Sequence, residues 1–288
     1  MNYQHNLRIG LIQTTVDGDY AWQKKLPLQM VEHAQIAVWR EIKKGIINFK
    51  NHASQPVIIV LPELSIPLGF EKDLINISRK MGAVLIGGLD FLNQTEGSTN
   101  SVMNRGIVIV PSGWPDNQYS HRAQKFYFGK TFFSHEEKQL FEPNALGQPD
   151  PSMYIIDAGS YGRIGLAICS DFFDIERFAI YKGRIHHMIV ISHNRDVSTY
   201  YFLSEAIARL VFCNVVICNT GFYGGSVAFT PHEKDYKRYI YKHEGANLFT
   251  SQIIEIPVST LDAAQRSPDD KCAPYKAKPP GYSYYGNE

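Results

Sequence analysis

Glu63 ends the run Val60-Leu61-Pro62-Glu63, and Cys169 follows Leu166-Ala167-Ile168 and precedes Ser170-Asp171. Each is a reactive side chain just past apolar residues that read as a strand buried on both faces. In open α/β sheets, ligands sit beyond the carboxyl ends of such strands. A thiolate, not a thiol, attacks carbon, and a nearby carboxylate can take the thiol proton as general base. Between the two, residues 119–144 carry Lys125 and Lys130. A lysine beside the nucleophile would stay cationic and hold the oxyanion of a tetrahedral intermediate. Taken singly, each residue has an ordinary reading: a buried inert cysteine, a solvated lysine, a charged surface turn over residues 134–138. Only their meeting in one pocket would make them an active site.

Other chemistries find less support. Residues 159–165 approximate a Gly-rich phosphate loop, but they precede a strand instead of following one, which argues against dinucleotide binding. His186-His187 starts an apolar strand and no H-E-x-x-H exists, so a metal site is not expected. Residues 221–226 hold no G-x-S-x-G elbow. The four cysteines, Cys169, Cys213, Cys218 and Cys272, form no C-x-x-C pair and no zinc spacing. His193 and Asn194 follow an apolar strand and face either the pocket or a hydrogen-bonded structural role.

The elements that must position these residues alternate. Strands are expected over residues 7–13, 57–61, 83–86, 107–110, 164–168, 187–191, 215–218 and 251–256. Helices are expected over 26–47, 74–80, 175–181 and 200–212, where apolar residues recur at helical spacing. Alternating strands and helices imply a layered α/β domain. The 288 residues suffice for a sizeable core without disulfides or metals. We expect one domain, residues 1–266, and a tail, residues 267–288, that is loose or wraps a neighbour. A net charge of +1 gives no sign of a nucleic-acid or membrane surface. With no secretory signal and no apolar run long enough to span a bilayer, a cytoplasmic setting with free thiols is expected.

The ordered set of motifs resembles the nitrilase (carbon–nitrogen hydrolase) superfamily, over about residues 7–260. Arg8-Ile9-Gly10-Leu11-Ile12-Gln13 is similar to its first strand, and Leu61-Pro62-Glu63 to the strand that ends in the base. Gly87-Gly88, then Asn104 with Ile107-Val108-Ile109, are similar to its next two strands. Gly165-Leu166-Ala167-Ile168-Cys169-Ser170-Asp171-Phe172-Phe173 resembles the nucleophile segment. Arg195, Ala206-Ile207-Ala208-Arg209 and Asn214-Val215-Val216 resemble the family's helix and strand after the nucleophile. Residues 219–221 and Gly224-Gly225-Ser226, then Pro231, resemble its downstream Gly-Ser turn. The lysine segment departs from the pattern. Arg122-Ala123-Gln124-Lys125-Phe126-Tyr127-Phe128 is taken as the aromatic-basic-Lys run, with Lys130 in Gly129-Lys130-Thr131-Phe132-Phe133 as its rival. A second family glutamate, before a Pro-Gly, falls on Glu137, with Glu136 and Glu142 as alternatives; here Asn144 replaces that Gly.

The resemblance implies an α/β fold of four layers, an α-β-β-α sandwich, that pairs through a helical face into a homodimer or higher homo-oligomer. It implies Glu63 as base, Lys125 as oxyanion cation, Cys169 as nucleophile and Glu137 as an orienting carboxylate. Ser170, Phe172, Phe173, His193 and Asn194 would contribute the oxyanion and substrate contacts. The reaction would cleave a non-peptide C–N bond of a small-molecule substrate through a thioester, with no metal and no organic cofactor. True nitrilases usually carry Trp after the cysteine; Ser170 favours an amide or carbamoyl compound. The alternatives are a binding or regulatory module on the same fold, or an acyltransferase that shares the acyl-enzyme.

Overall fold

The computed structural model describes residues 3–115 and 121–285. Tyr119 and Ser120 of the lysine segment, and the outermost residues of domain and tail, lie outside the described residues. The strands are β1 (Asn6–Gln13), β2 (Ile58–Val60), β3 (Val84–Gly88), β4 (Leu92–Glu96), β5 (Thr99–Met103), β6 (Arg105–Pro111), β7 (Ala123–Gly129) and β8 (Leu146–Gly147). They continue with β9 (Ile155–Asp157), β10 (Arg163–Ile168), β11 (His187–Ser192), β12 (Asn214–Asn219), β13 (Val227–Phe229), β14 (Tyr239–Lys242) and β15 (Thr250–Pro257). The α-helices are α1 (Gly18–Ala21), α2 (Glu32–Lys50), α3 (Glu71–Met81), α4 (His135–Phe141), α5 (Ile175–Tyr181), α6 (Val197–Ile207) and α7 (Ser259–Arg266).

One sheet runs β15-β1-β2-β3-β6-β7 and a second runs β14-β13-β12-β11-β10-β9. A small third sheet, β4-β5-β8, lies apart from them. In the first, β1, β2 and β3 are parallel, and β15, β6 and β7 continue it antiparallel. In the second, β10, β11 and β12 are parallel. Side chains alternate across a strand, so every buried strand feeds two cores. Leu7, Ile9, Leu11, Val60 and Ile86 of the first sheet meet Ile164, Leu166, Ile168, Ile191 and Val216 of the second. Ile12, Ile59, Leu85 and Ile109 point the other way, onto Val38, Ile42 and Phe49 of α2 and Leu74 of α3. Ala167, Met188, Val190 and Ile217 point outward from the second sheet onto Phe178 of α5 and Tyr200 and Ile207 of α6. Three apolar cores thus separate four layers: helices, sheet, sheet, helices.

Three expectations need correction. The first long helix begins at Glu32, not residue 26: Pro27 lies in an irregular approach whose Leu28 and Met30 are nevertheless buried. The lysine segment contains an unexpected edge strand, β7, whose Gln124, Lys125, Phe126 and Tyr127 are all exposed and so give no apolar alternation to read. The tail is docked on its own chain. Tyr275 is buried with Phe212, Leu261 and Ala264, the Tyr284 hydroxyl donates to Asp262 Oδ1 at 3.0 Å, and Tyr285 N donates to Gly183 O at 2.9 Å. Tyrosines supply the apolar anchors that a Pro- and Lys-rich composition hides.

Candidate active site

Glu63 follows β2 at the carboxyl edge of the first sheet. Its loop is pinned to the end of β3: Gly88 N donates to Pro62 O, and Ser65 and Ile66 N donate to Gly88 O, at 2.9 to 3.0 Å. A Cβ on Gly88 would lie 2.4 Å from Glu63 Cα, so only glycine permits this approach. Cys169 follows β10 at the corresponding edge of the second sheet, with φ 46°. That left-handed backbone is costly for a non-glycine residue and is held by its surroundings. A 3-10 turn, Cys169–Phe173, begins at the cysteine.

Lys130 lies between these edges. It follows β7, and its N–H donates to Asn104 O at 2.9 Å. Its Nζ donates to Glu63 Oε1 at 2.8 Å and to Glu137 Oε2 at 2.6 Å. The side chains of Lys130 and Glu63 are 1% and 2% exposed. Asn104 Nδ2 donates to the same two carboxylates, at 2.8 Å to Glu63 Oε1 and 2.7 Å to Glu137 Oε1. Glu63 Oε2 accepts the His193 main-chain N–H at 2.9 Å. Glu137 is also the third residue of α4, in a capping box with Ser134, whose N–H it accepts at 2.8 Å.

Burial disfavours a charge on Lys130, but Glu137 and Glu63 outweigh it and hold its pKa well above the ordinary value. Burial, then the Glu63 charge, push the Cys169 thiol up to about 12, against the pull of Lys130. A thiol so raised is neutral at neutral pH. Burial, helped by Lys130, lowers His193 to about 4.

Lys125 does not reach this cluster, and the sequence assignment of the lysine is corrected to Lys130. Lys125 sits mid-strand on β7, opposite Ile109, and pairs with Glu71 at 2.6 Å with its side chain 41% exposed. Phe172 is corrected as well. It is fully buried against Phe178 and Tyr200 in the outer helical core, away from the cavity. Ser170, Phe173, His193 and Asn194 do line the cavity with Glu63, Glu137 and Cys169. Glu136 lies at its wall too, whereas Glu142 does not. The cavity encloses about 910 Å³. No group of side chains suited to a metal ion occurs among the described residues.

Sequence reasoning passed over three contributors. Asn104 clamps both carboxylates; an isolated amide before an apolar strand was the available signal. Asp171, buried beside Arg177, accepts the N–H groups of Thr131 and Phe132 at 2.8 to 3.1 Å and so ties the turn at Cys169 to the turn at Lys130. Trp22 lines the cavity and is held through Nε1 by the buried Asp90 carboxylate at 2.7 Å. Nothing in the irregular segment before α2 announced it.

No protein-family model matches the chain, and no curated protein matches it by sequence. Solved structures do match, over nearly the full length. Nit3 of Saccharomyces cerevisiae, of branch 10 of the nitrilase superfamily, superposes with a TM-score of 0.62 at 16% identity, covering 93% of this chain and 97% of its own. The CN-hydrolase superfamily protein XC1258 of Xanthomonas campestris, which carries an arsenic adduct in its active site, gives 0.61 at 15% identity, covering 91% and 94%. The chain has the nitrilase-superfamily fold. An amidase from Nesterenkonia sp. gives 0.60 at 15% identity, covering 91% and 94%. At these identities the likeness is one of fold. No helix among the described residues is long and apolar enough to cross a membrane.

Proposed function

We propose that this chain is a carbon–nitrogen hydrolase that cleaves an amide or carbamoyl compound through a thioester on Cys169. The observation that carries the reading is the convergence of Glu63, Lys130, Glu137 and Cys169 on one cavity. Glu63 takes the thiol proton as sulfur attacks the carbonyl carbon. The carbonyl π pair moves to oxygen, where Lys130 and the Ser170 N–H at the start of the 3-10 turn receive it. As the tetrahedral species collapses, Glu63 returns the proton to the leaving nitrogen and the C–N bond breaks. Water then attacks the thioester with Glu63 again as base, and Cys169 leaves as thiol. Glu137 and Asn104 hold Lys130 and Glu63 in register throughout.

A thiol at about 12 suits this scheme, because a base that acts only during attack is what such a thiol requires. The apolar wall formed by Trp22, Phe91, Leu140, Phe173 and Tyr223 suits an organic substituent larger than a methyl group. Ammonia release from a panel of amides, ureas, carbamoyl amino acids and nitriles tests the reading. Amides or carbamoyl compounds should turn over; Cys169→Ala should abolish it, and Glu63→Gln should lower it by about 100- to 10,000-fold. A fluoroacetamide adduct forms on the active-site cysteine of a Nesterenkonia amidase variant. The same reagent should leave an acetamide mass on Cys169, whereas Cys213 and Cys218, fully buried, should stay free. Turnover that survives Cys169→Ala would overturn the proposal. Ile175, Ile180, Phe202 and Leu210, exposed on α5, α6 and the turn after α6, favour a homodimer through this helical face. Light scattering should give twice the chain mass, and Phe202→Glu should return it to the monomer.

A further inference from the structure

Residues 88–90, where β3 ends, bind in two directions. Gly88 holds the Glu63 loop, and Asp90 N donates to Ile66 O of the same loop at 2.7 Å. The Asp90 carboxylate, 2% exposed, reaches the other way, into the irregular segment before α2. Its Oδ1 accepts the Trp22 indole N–H at 2.7 Å and the Phe91 N–H at 2.8 Å, and its Oδ2 accepts the Met30 N–H at 2.7 Å. Trp22 and Met30 pair in an isolated antiparallel bridge. Asn93 holds the main-chain N–H and C=O of Leu28 at 2.7 and 2.8 Å. A buried carboxylate is costly unless donors surround it, and the three N–H groups do so. Trp22 is buried and lines the cavity. The single polar atom of its ring is turned onto Asp90, so what the indole offers the cavity is hydrocarbon. The ring stands edge-on to Phe91, with centroids at 5.8 Å, and to His193, at 5.9 Å. His193 is the residue whose main-chain N–H binds Glu63.

We propose that Trp22 is the specificity-determining residue for the acyl group, favouring amides with an apolar acyl chain longer than acetyl, and that Asp90 is its positioning residue. The inference rests on the thioester role proposed for Cys169 and says what that thioester carries. The amine leaves after the first half of the reaction, and water takes its place beside Glu63. The acyl group stays on sulfur through both halves. A wall fixed relative to the base therefore acts on the group that stays. Residues 88–90 hold both Trp22 and the Glu63 loop, so a chain packed against the indole keeps its carbonyl in register with Glu63 and Lys130. Each methylene laid on the indole leaves water and contributes to binding. A hydroxylated or charged chain finds no partner on that ring and loses its water there. Asp90 touches no substrate atom in this scheme and acts only through the indole.

The experiment uses two aldehydes, hexanal and acetaldehyde, which occupy the place of the acyl group. The Cys169 sulfur adds to the aldehyde carbon, the S–C bond forms, and the thiol proton ends on the aldehyde oxygen as a thiohemiacetal. Protection of Cys169 from iodoacetamide, read by mass spectrometry, gives both affinities in wild type, Trp22→Ala, Trp22→Phe and Asp90→Asn. The readout is the ratio of hexanal to acetaldehyde affinity, because a merely structural loss weakens both and leaves the ratio in place. Wild type should favour hexanal by about 10-fold or more. Trp22→Ala should lower the ratio by about 10-fold. Asp90→Asn should lower it by about 3-fold, since an amide accepts through one oxygen only and the indole is held less firmly. Trp22→Phe removes the N–H and tests the same bond from its other end, also with a loss of about 3-fold, so it decides the part of Asp90 if Asp90→Asn does not fold. A wild-type ratio near one, or a ratio that Trp22→Ala leaves unchanged, overturns the inference. A ratio that falls in Trp22→Ala but in neither Trp22→Phe nor Asp90→Asn overturns the part given to Asp90. The two proposals fail separately: the expected ratios without ammonia from any amide sink the hydrolase reading alone.

Discussion

Lys125 and Lys130 stand on one strand and its exit, yet they live in opposite environments. Lys125 projects from the middle of an edge strand into solvent, paired with Glu71 on the neighbouring helix α3. Lys130, just past the strand's end, is 1% exposed between two buried carboxylates. The separation is roughly 17 Å at about 3.4 Å per strand residue, enough to take a lysine from the flank of the molecule to the sheet edge where Glu63 stands. β7 runs antiparallel to β6 and β6 to β3, so the carboxyl end of β7 lies at the same edge as the carboxyl ends of β2 and β3. A lysine that is to meet Glu63 must stand at that end. Position along a strand, more than the residues around the lysine, decides which one it is.

The largest effect expected is at Lys130. Lys130→Ala should lose about 100-fold or more of turnover, because an oxyanion donor in a desolvated site is gone. It should also cost about 3–5 kcal/mol in urea unfolding, since Glu63 and Glu137 remain buried without their cation. Near-normal turnover in Lys130→Ala beside an inactive Lys125→Ala would reverse the comparison.

Next comes Gly88→Ala. The new methyl meets Glu63 backbone, which cannot swing aside as a side chain would. A shift of the base by about 1 Å is worth roughly 100-fold in rate. Gly69→Ala, with open space around its Cβ, serves as control and should be unaffected. If the two variants behave alike, the close approach at Gly88 does not set the base.

Asp171→Asn tests whether the lysine turn must be tied to the nucleophile turn. It leaves Arg177 without its buried carboxylate and should cost about 1–3 kcal/mol, with a smaller loss of turnover than at Lys130. Equal turnover to wild type would mean that Lys130 is held well enough by Glu63 and Glu137 alone.

The cluster should also be sensitive to acid in a way the Lys125 region is not. His193 is held neutral by burial and by the Lys130 charge, with a pKa lowered to about 4. In the unfolded chain it takes up a proton near pH 6.5. Stability from the neutral ring is thus complete above about pH 6.5 and is lost as the pH falls towards 4. Urea midpoints between pH 7.5 and 4.5 should fall less steeply in His193→Asn than in wild type. Parallel slopes would show that His193 is not held neutral by the fold. The smallest effect is at Lys125 itself: Lys125→Ala removes an exposed pair and should change stability by about 0–1 kcal/mol, with turnover unchanged.

The sequence by itself determined the architecture and two residues of the cavity, Glu63 and Cys169. Continuous apolar runs at residues 57–61 and 164–168 marked strands buried on both faces, and a reactive residue directly after such a run has to emerge at a sheet edge. That reasoning brought out Glu63 and Cys169; Glu137 came only from the resemblance to the nitrilase superfamily. It failed where burial leaves no local periodic trace. β7 is an edge strand with four consecutive exposed residues, so its end, and with it the choice of Lys130 over Lys125, comes from the antiparallel register with β6 alone. Phe172 and Phe173 are adjacent and chemically identical; only the turn after Cys169 sends one into the helical core and the other to the cavity. Asn104 and Asp171 owe their places to partners distant in the chain. A hydrogen bond between remote segments is a property of their packing, and no spacing within either segment encodes it.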